Sequence, residues 1–443
     1  MGIELVPRAS SMIEALRSFG YTPESAIADI IDNSIAANAK KVDIQMYDAG
    51  DNFSNSYVSI CDDGKGLNEK ELVEKAMYWG TKDHIREHTD LGKFGFGLKS
   101  ASLSQCKKLT VISKGSHGRV NLQKWDVDHI RKTDKWEITS EITSDLEPHI
   151  KKIDEQETGT LVLWQNLDKL LEAESYSKKW RHRILSGLRI RTKKHISMIF
   201  NRFMKEINFT TQGTFPIEPW DPFYEADLHT EPTPMETIDY KGSQVSIMSF
   251  ILREQKTFED EEYHGPSGDW NDRQGIYIFR KNRLIVPGGW HNVTLNNRPI
   301  TKREKYNRLR IMINYDGEND NDWRLDVRKN SVIIPGAVKH KLSQIVEKQF
   351  DLLQKKNFRS IPVVQSGVIT PWLIRNNYGR LSAKIDREND LVKKIINSPN
   401  LDKAEFEKLL KILERTLPLE NIDFKSHASS LNDEDTDEKN KKD

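Results

Sequence analysis

Residues 24–42 read ESAIADIIDNSIAANAKKV, and their reading decides the fold. Ile27, Ile30, Ile31 and Ile35 recur at helical spacing and form one apolar stripe. Thr22 stands where an N-cap is needed, and Pro23 takes the first helical position, where its missing N–H costs nothing. Within this apolar run Asp29 and Asn33 lie one turn apart on a single face. Asp32 lies next to Asn33, turned about 100° around the helix axis. A carboxylate and a carboxamide stacked one turn apart are out of place on an ordinary core helix. The helix is therefore expected to present a site as well as a core face.

Outward from this helix, two β-like runs follow, KVDIQMY (41–47) and YVSICDD (57–63), joined by a polar, Asn-rich turn. A helix pattern, EKELVEKAMYWG (69–80), leads through a polar loop into DLGKFGFGLKSASLSQC (90–106). The strands KLTVISKG (108–115) and GTLVLWQNL (159–167) close the segment. Strands and helices that alternate without regular βαβ spacing predict an α+β layered sandwich. A basic helical linker, SKKWRHRILSGLRIRTKKH (177–195), then opens a second region with strand signals INFTTQG, SQVSIMSFIL, QGIYIFRKNRLIV and LRIMINYDG. Leu342, Ile345, Val346, Phe350 and Leu353 fit one core-facing helix, and Phe406, Leu409, Leu410 and Leu413 fit another around 402–416. The end, SSLNDEDTDEKNKKD, is expected to be a disordered charged tail.

The 443 residues are too many for one ordinary core, so more than one domain is expected. Charged residues at 30% and apolar residues at 36% suit a globular chain, and no run reaches the roughly 20 apolar residues of a membrane span. The start, MGIELVPRASS, has no secretory pattern, and Cys61 and Cys106 form no zinc motif, so a reducing cytoplasm is expected.

Two further stretches look directed at phosphates or a nucleotide, although DDGKG reads equally as an ordinary turn and the glycines of 92–97 as a flexible loop. Asp62-Asp63-Gly64-Lys65-Gly66 ends a strand, where a carboxylate can accept from an amino group and glycines allow a tight turn. Gly92, Gly95 and Gly97 precede a helix signal, so successive amides can cradle an anion. The spacing is not that of a Walker loop, and no strand leads into it as a dinucleotide fingerprint requires.

Taken in order, ADIIDNS, DDGKGL, LGKFGFGLKSAS and ETGTLVLW resemble the motifs of the GHKL ATPases, the superfamily of gyrase, MutL, the ATP-driven heat-shock chaperone, histidine kinases and the MORC proteins. The look is that of prokaryotic MORC-like members. The resemblance implies a Bergerat-type ATP-binding α/β sandwich over residues 1–175, with an N-terminal strap and a lid at about 67–91. It implies a ribosomal S-five-like α/β transducer over 176–337, followed by C-terminal helices over 338–425 and the tail 426–443. It implies ATP and Mg2+ as ligands. Asn33 would hold the magnesium, Asp62 would accept from the adenine amine, and Gly64 and Gly66 would shape the pocket floor. Gly92, Gly95, Gly97 and Leu98 would wrap the phosphates with Lys99 nearby, and Thr160 would contact adenine. Asp29 stands where the hydrolysing branches carry a glutamate general base, one methylene longer. A misplacement of about 1 Å can cost on the order of a hundredfold, so slow hydrolysis is expected. Asp32 is expected in a supporting role. RQGIYIFRKNRLIVPGGW and WRLDVRKNSVIIP resemble the transducer, with Lys329 first and Arg328 second as the γ-phosphate sensor.

The resemblance also implies ATP-dependent homodimerisation, used as a conformational gate. Its partner stays open. Eight Lys or Arg residues within 178–194, and Lys302, Arg303, Lys305, Arg308 and Arg310, could form a duplex-DNA channel. The C-terminal helices could instead bind a protein, as in a chaperone-like or signalling switch, or the chain could be an ATP-sensing scaffold with little turnover. Anti-phage defence follows only by analogy to the family.

Overall fold

The computed structural model describes residues 7–80, 95–171, 178–227, 230–253, 269–295, 298–326, 328–358, 372–377, 380–387, 389–398 and 402–416. The chain divides into two compact units, Met1–Ile345 and Val346–Asp443. Residues 81–94 lie outside the described residues, and with them His84, His88 and most of the lid expected at 67–91, as well as Gly92; so does the tail 426–443.

The first unit opens with helix α1 (Ala9–Arg17) and the predicted helix α2 (Pro23–Ala36), capped by Thr22, whose hydroxyl accepts from the Ser25 N–H at 3.2 Å. Then come β1 (Lys41–Tyr47), β2 (Tyr57–Asp62), helix α3 (Gly97–Leu103), β3 (Lys108–Lys114), β4 (Val120–Asp126) and β5 (Gly159–Gln165). Their strands pair antiparallel in the order β4-β3-β5-β2-β1. Side chains alternate across this sheet. Val42, Ile44, Val58, Ile60, Val111 and Val162 face the main core with α2, whereas Cys61, Ile112, Leu161 and Leu163 pack with Leu146 and Ile153 of the Glu147–Asp154 segment. Covered on both faces, β2 and β5 read as near-continuous apolar runs.

The long basic helix α4 (Lys178–Ile199) packs against α2, and β6 (Asn208–Thr211) with β7 (Phe215–Pro216) returns to the first sheet. INFTTQG, expected in the second region, therefore belongs to the first sheet. It pairs parallel with β1, Val42 opposite Phe209, and so covers an edge that would otherwise expose a row of unpaired backbone groups.

A second sheet follows the order β12-β11-β15-β10-β8. It is built from β8 (Glu231–Pro232), β9 (Glu236–Tyr240), β10 (Ser243–Ile251), β11 (Gly275–Arg280) and β12 (Arg283–Pro287), with β9 alongside β10. A small pair, β13 (Thr294–Leu295) and β14 (Arg298–Pro299), precedes β15 (Leu309–Tyr315). The two sheets share one core. Phe200 stacks on Phe209 of the first sheet, and Phe223 meets Phe250, Tyr277 and Phe279 of the second. After β15 an irregular loop, 316–335, leads into helix α5 (Gly336–Phe358).

The second unit was expected to be helical. It also holds an antiparallel hairpin, β16 (Trp372–Asn377) and β17 (Arg380–Ile385), ahead of helices Asp390–Ile396 and Lys403–Thr416. A run of 372–385 that reads as two six-residue strands around a short turn has the period and length of a hairpin, not of a helix. Its core is small: Ile385, Val392 and Leu410, with Ile396 and Phe406 beside them. Among the described residues no helix is long and apolar enough to cross a membrane.

Candidate active site

The site is built around α2. Just ahead of it stands Tyr21, whose buried hydroxyl donates to Asp29 Oδ2 at 2.8 Å. The other oxygen, Asp29 Oδ1, accepts from Lys329 Nζ at 2.9 Å. Lys329 also donates to Asp32 Oδ2 at 2.6 Å, and Asp32 Oδ1 accepts from Arg283 Nε at 2.7 Å. Asp29, Asp32, Lys329 and Arg283 are all buried. A segment 300 residues downstream of Asp29 in the chain thus supplies its cation. Burial works against the charge on Lys329, but Asp32 and Asp29 outweigh it and hold the ammonium above the usual lysine range. Burial, then the Asp29 charge, push the Tyr21 phenol up, so it stays a donor.

Asn33 is exposed, one turn on from Asp29. Its Nδ2 donates to the Asp29 carbonyl at 3.3 Å, which leaves its amide oxygen without a donor among the described residues. An outward carboxamide oxygen suits magnesium that takes its remaining ligands from phosphates and water. Among the described residues no cluster of His, Cys, Asp or Glu could cage a metal by itself.

Asp62 ends β2 and turns towards α2. Its Oδ2 accepts from Ser34 Oγ at 2.7 Å and its Oδ1 from the Gly64 N–H at 3.0 Å. Burial pushes its carboxyl up to about 6, against the opposing pull of Ser34, Gly64 and the Thr160 backbone. Thr160 lies opposite Asp62 on β5, and its hydroxyl meets Ser113 Oγ at 2.8 Å. The DDGKG turn needs its glycines for space. A Cβ at Gly64 would stand 2.7 Å from Ala37 Cβ, and one at Gly66, where φ is +61°, would stand 1.9 Å from the Lys114 carbonyl oxygen. A cavity of about 660 Å³ opens beside Asp62 and Asp63, but Cys61 and Lys152 in its wall put it on the sheet face away from α2.

The third stretch approaches α2 from above. Gly95 has φ +69°, and Gly97 starts α3 so close that a Cβ there would lie 3.2 Å from Asp29 Oδ2. Leu98 is half-buried against the core. Lys99 is buried, and its ammonium donates to the Ala76 carbonyl at 2.8 Å beside the Trp79 ring. Arg328, the second choice for the sensor, bonds Asp326 and the Gly20 carbonyl instead, at 2.8 Å and 3.2 Å.

The basic segments are less available than their sequence suggests. Arg310 is fully buried, donating to the Asn307 carbonyl at 2.7 Å and lying 5.2 Å from the Trp270 ring centre, so it is no surface contact for a phosphate. Arg308 donates to the Leu252 carbonyl and Lys302 pairs with Asp272 at 2.8 Å. On α4, Arg191 pairs with Glu24 at 2.6 Å and Arg189 donates to the Met46 carbonyl, while Lys179, Arg183, Lys193 and Lys194 are exposed.

Residues 21–160 match the family model described as histidine kinase-, DNA gyrase B-, and HSP90-like ATPase. This segment is a GHKL ATPase domain. Over 95 residues the chain is 28% identical to the DNA mismatch repair protein MutL of Thermosipho africanus, covering 20% of this chain and 16% of that one. It is 27% identical over 110 residues to ATPase MORC2 of Homo sapiens, with 24% and 11% covered, and 29% identical over 111 residues to ATPase morc-1 of Caenorhabditis elegans, with 24% and 12% covered. The chain thus matches less than a fifth of the length of these relatives. The GHKL match includes Asp29, Asn33, Asp62 and the Gly95–Leu98 turn, while Lys329 and Arg283 lie beyond it. Sequence reasoning assigned no role to Tyr21 or Arg283. Arg283 stood in the quoted RKNRLI, but nothing in spacing alone ties it to Asp32.

Proposed function

We propose that this protein binds ATP with Mg2+ and hydrolyses it slowly, and that nucleotide-driven homodimerisation works as a gate on duplex DNA. Residues 1–175 would supply the ATP site, and 176–337, apart from β6 and β7, the transducer. The observation that carries this reading is the contact of Lys329 with Asp29 across 300 residues of chain. A cation delivered to the carboxylate that stands where a general base belongs is what a γ-phosphate sensor requires. Asn33 would hold the magnesium, Asp62 would accept from the adenine amine, and Gly95, Gly97 and Leu98 would wrap the phosphates. When bound, the magnesium would neutralise phosphate charge. Slow turnover has a local cause: Lys329 and Tyr21 each donate to one oxygen of Asp29 and draw electron density from the carboxylate that must take a proton from water.

Lys179, Arg183, Lys193 and Lys194, exposed on α4, support a duplex-DNA partner, whose binding would weaken steeply with salt. A protein partner is the second reading. It rests on Leu409, Ile412 and Leu413, which are 42–56% exposed on the Lys403–Thr416 helix. Single-turnover hydrolysis by wild type and Asp29→Asn tests the catalytic assignment, and undiminished turnover in the variant would overturn it. Molecular mass in solution with an ATP analogue, ADP or no nucleotide, with and without duplex DNA at two salt concentrations, tests the gate. A chain that stays monomeric with the analogue refutes it.

A further inference from the structure

Two carboxyl side chains and two basic ones meet between α2, β12 and the loop 316–335, and their formal charges cancel: Asp29 and Asp32 against Lys329 and Arg283. Two of the contacts of Arg283 differ in kind. Its Nε donates to Asp32 Oδ1 at 2.7 Å, and its Nη1 donates to the backbone carbonyl of Lys329 at 3.1 Å. One guanidinium therefore holds both the peptide that carries the sensor lysine and the carboxylate that competes for its ammonium.

The backbone of Lys329 needs that hold. Its φ is +50°, in the left-handed region that a lysine enters only at a cost, and such a conformation persists where its surroundings over-determine it. The Lys329 N–H bonds the Asp326 carbonyl at 2.9 Å, which pins the strained residue on its amide side. The other end of the loop is gripped by the same hairpin. Arg280 lies opposite Arg283 in the β11–β12 register and donates from Nε to Asp320 Oδ1 at 2.9 Å. Between the two arginines, Lys281 and Asn282 both have positive φ, as a two-residue hairpin turn requires. FRKNRL is thus a brace whose arginines reach the base and the tip of the lysine loop.

We propose that Arg283 is a positioning residue that frees Lys329 for the γ-phosphate by keeping Asp32 satisfied when the lysine turns away. This rests on the ATPase reading above. With Arg283 present, Asp32 keeps a partner after Lys329 leaves. Without it, the cluster carries one uncompensated negative charge, and Asp32 holds on to Lys329, because breaking that pair would strand a buried carboxylate.

The test compares wild type, Arg283→Met, Arg283→Lys and the double variant Arg283→Met with Asp32→Asn, each checked for a native circular-dichroism spectrum. Single-turnover rate and ATP affinity are measured separately. Arg283→Met is expected to lose at least about tenfold in rate with affinity within about threefold, and Arg283→Lys to keep most of the rate. The double variant, which restores charge balance without restoring the bond to the Lys329 carbonyl, is expected to recover to within about threefold of wild type. A purely structural role would leave the double variant as slow as Arg283→Met or slower. That result, or an unchanged rate in Arg283→Met, overturns the inference. If Arg283→Met does not fold, loss of rate in Arg283→Lys equal to that of Lys329→Met overturns it. A wild type that hydrolyses no ATP overturns the ATPase reading itself, and the inference with it.

Discussion

Asp62→Asn is expected to make the protein more stable and a poorer binder of adenine nucleotides. Burial raises the Asp62 carboxyl from 3.8 to about 6, a difference of about two units. At about 1.4 kcal/mol per unit this corresponds to about 3 kcal/mol. The folded value lies above the unfolded one. The side chain therefore contributes most below pH 3.8, where both states carry the proton, and that contribution is lost as pH rises through about 6. Asparagine does not titrate and loses nothing. It also fits: its oxygen can accept from the Gly64 N–H, and its amide can donate to Ser34 Oγ, whose hydroxyl rotates to accept. The variant should thus exceed wild type by about 3 kcal/mol at pH 8 and by only about 1 kcal/mol at pH 4.5. Urea unfolding of both proteins at the two pH values measures this, with a midpoint difference near 1 M at pH 8. Equal midpoints at pH 8, or a gap that does not close on acidification, would refute the argument. Calorimetric titration with ADP supplies the other half, expected at least about tenfold weaker. A carboxylate kept at this cost makes sense where it receives a donor from a ligand.

Lys329→Met leaves two buried carboxylates sharing Arg283, so it should lose about 3–5 kcal/mol in urea unfolding and at least about a hundredfold in single-turnover rate. Gly66→Ala forces a methyl group to within 1.9 Å of the Lys114 carbonyl oxygen at a positive φ, and a fall of more than about 2 kcal/mol in unfolding free energy is expected. Tyr21→Phe removes the donor on Asp29 Oδ2. It should cost about 1 kcal/mol of stability yet raise the single-turnover rate severalfold, and a slower variant would mean that Tyr21 orients the base instead of detaining it.

Local signals carried much of the fold. The cap at Thr22 and Pro23, the isoleucine stripe of α2 and the glycines around Asp62 act within a few residues of each other, and the structure has them as read. What escaped was pairing between distant segments. Nothing local to Asn208–Thr211 says that it lies parallel to β1, because that choice depends on an edge some 160 residues earlier being open. The same holds within the site. Asp29 and Asn33 announce themselves by their spacing, whereas Tyr21 and Arg283 matter only through side chains that meet after the chain has closed on itself. Arg310 shows the converse. Amid a basic run it looks like a surface charge, yet its guanidinium is spent on backbone carbonyls and a tryptophan ring inside the core.

The contact between Asp32 and Lys329 spans 297 positions, and that separation has a consequence for how the protein is made. At about 5–20 residues per second, a ribosome takes roughly 15–60 s to travel from one to the other. For most of that interval neither cation of the cluster has been made, since Arg283 follows Asp32 by 251 positions and Lys329 by 297, so the two carboxylates must stay in contact with water. The N-terminal sheet therefore cannot close over α2 in its final form until the second sheet has emerged. A shortened chain that stops before residue 329 would be caught in that unfinished state for good.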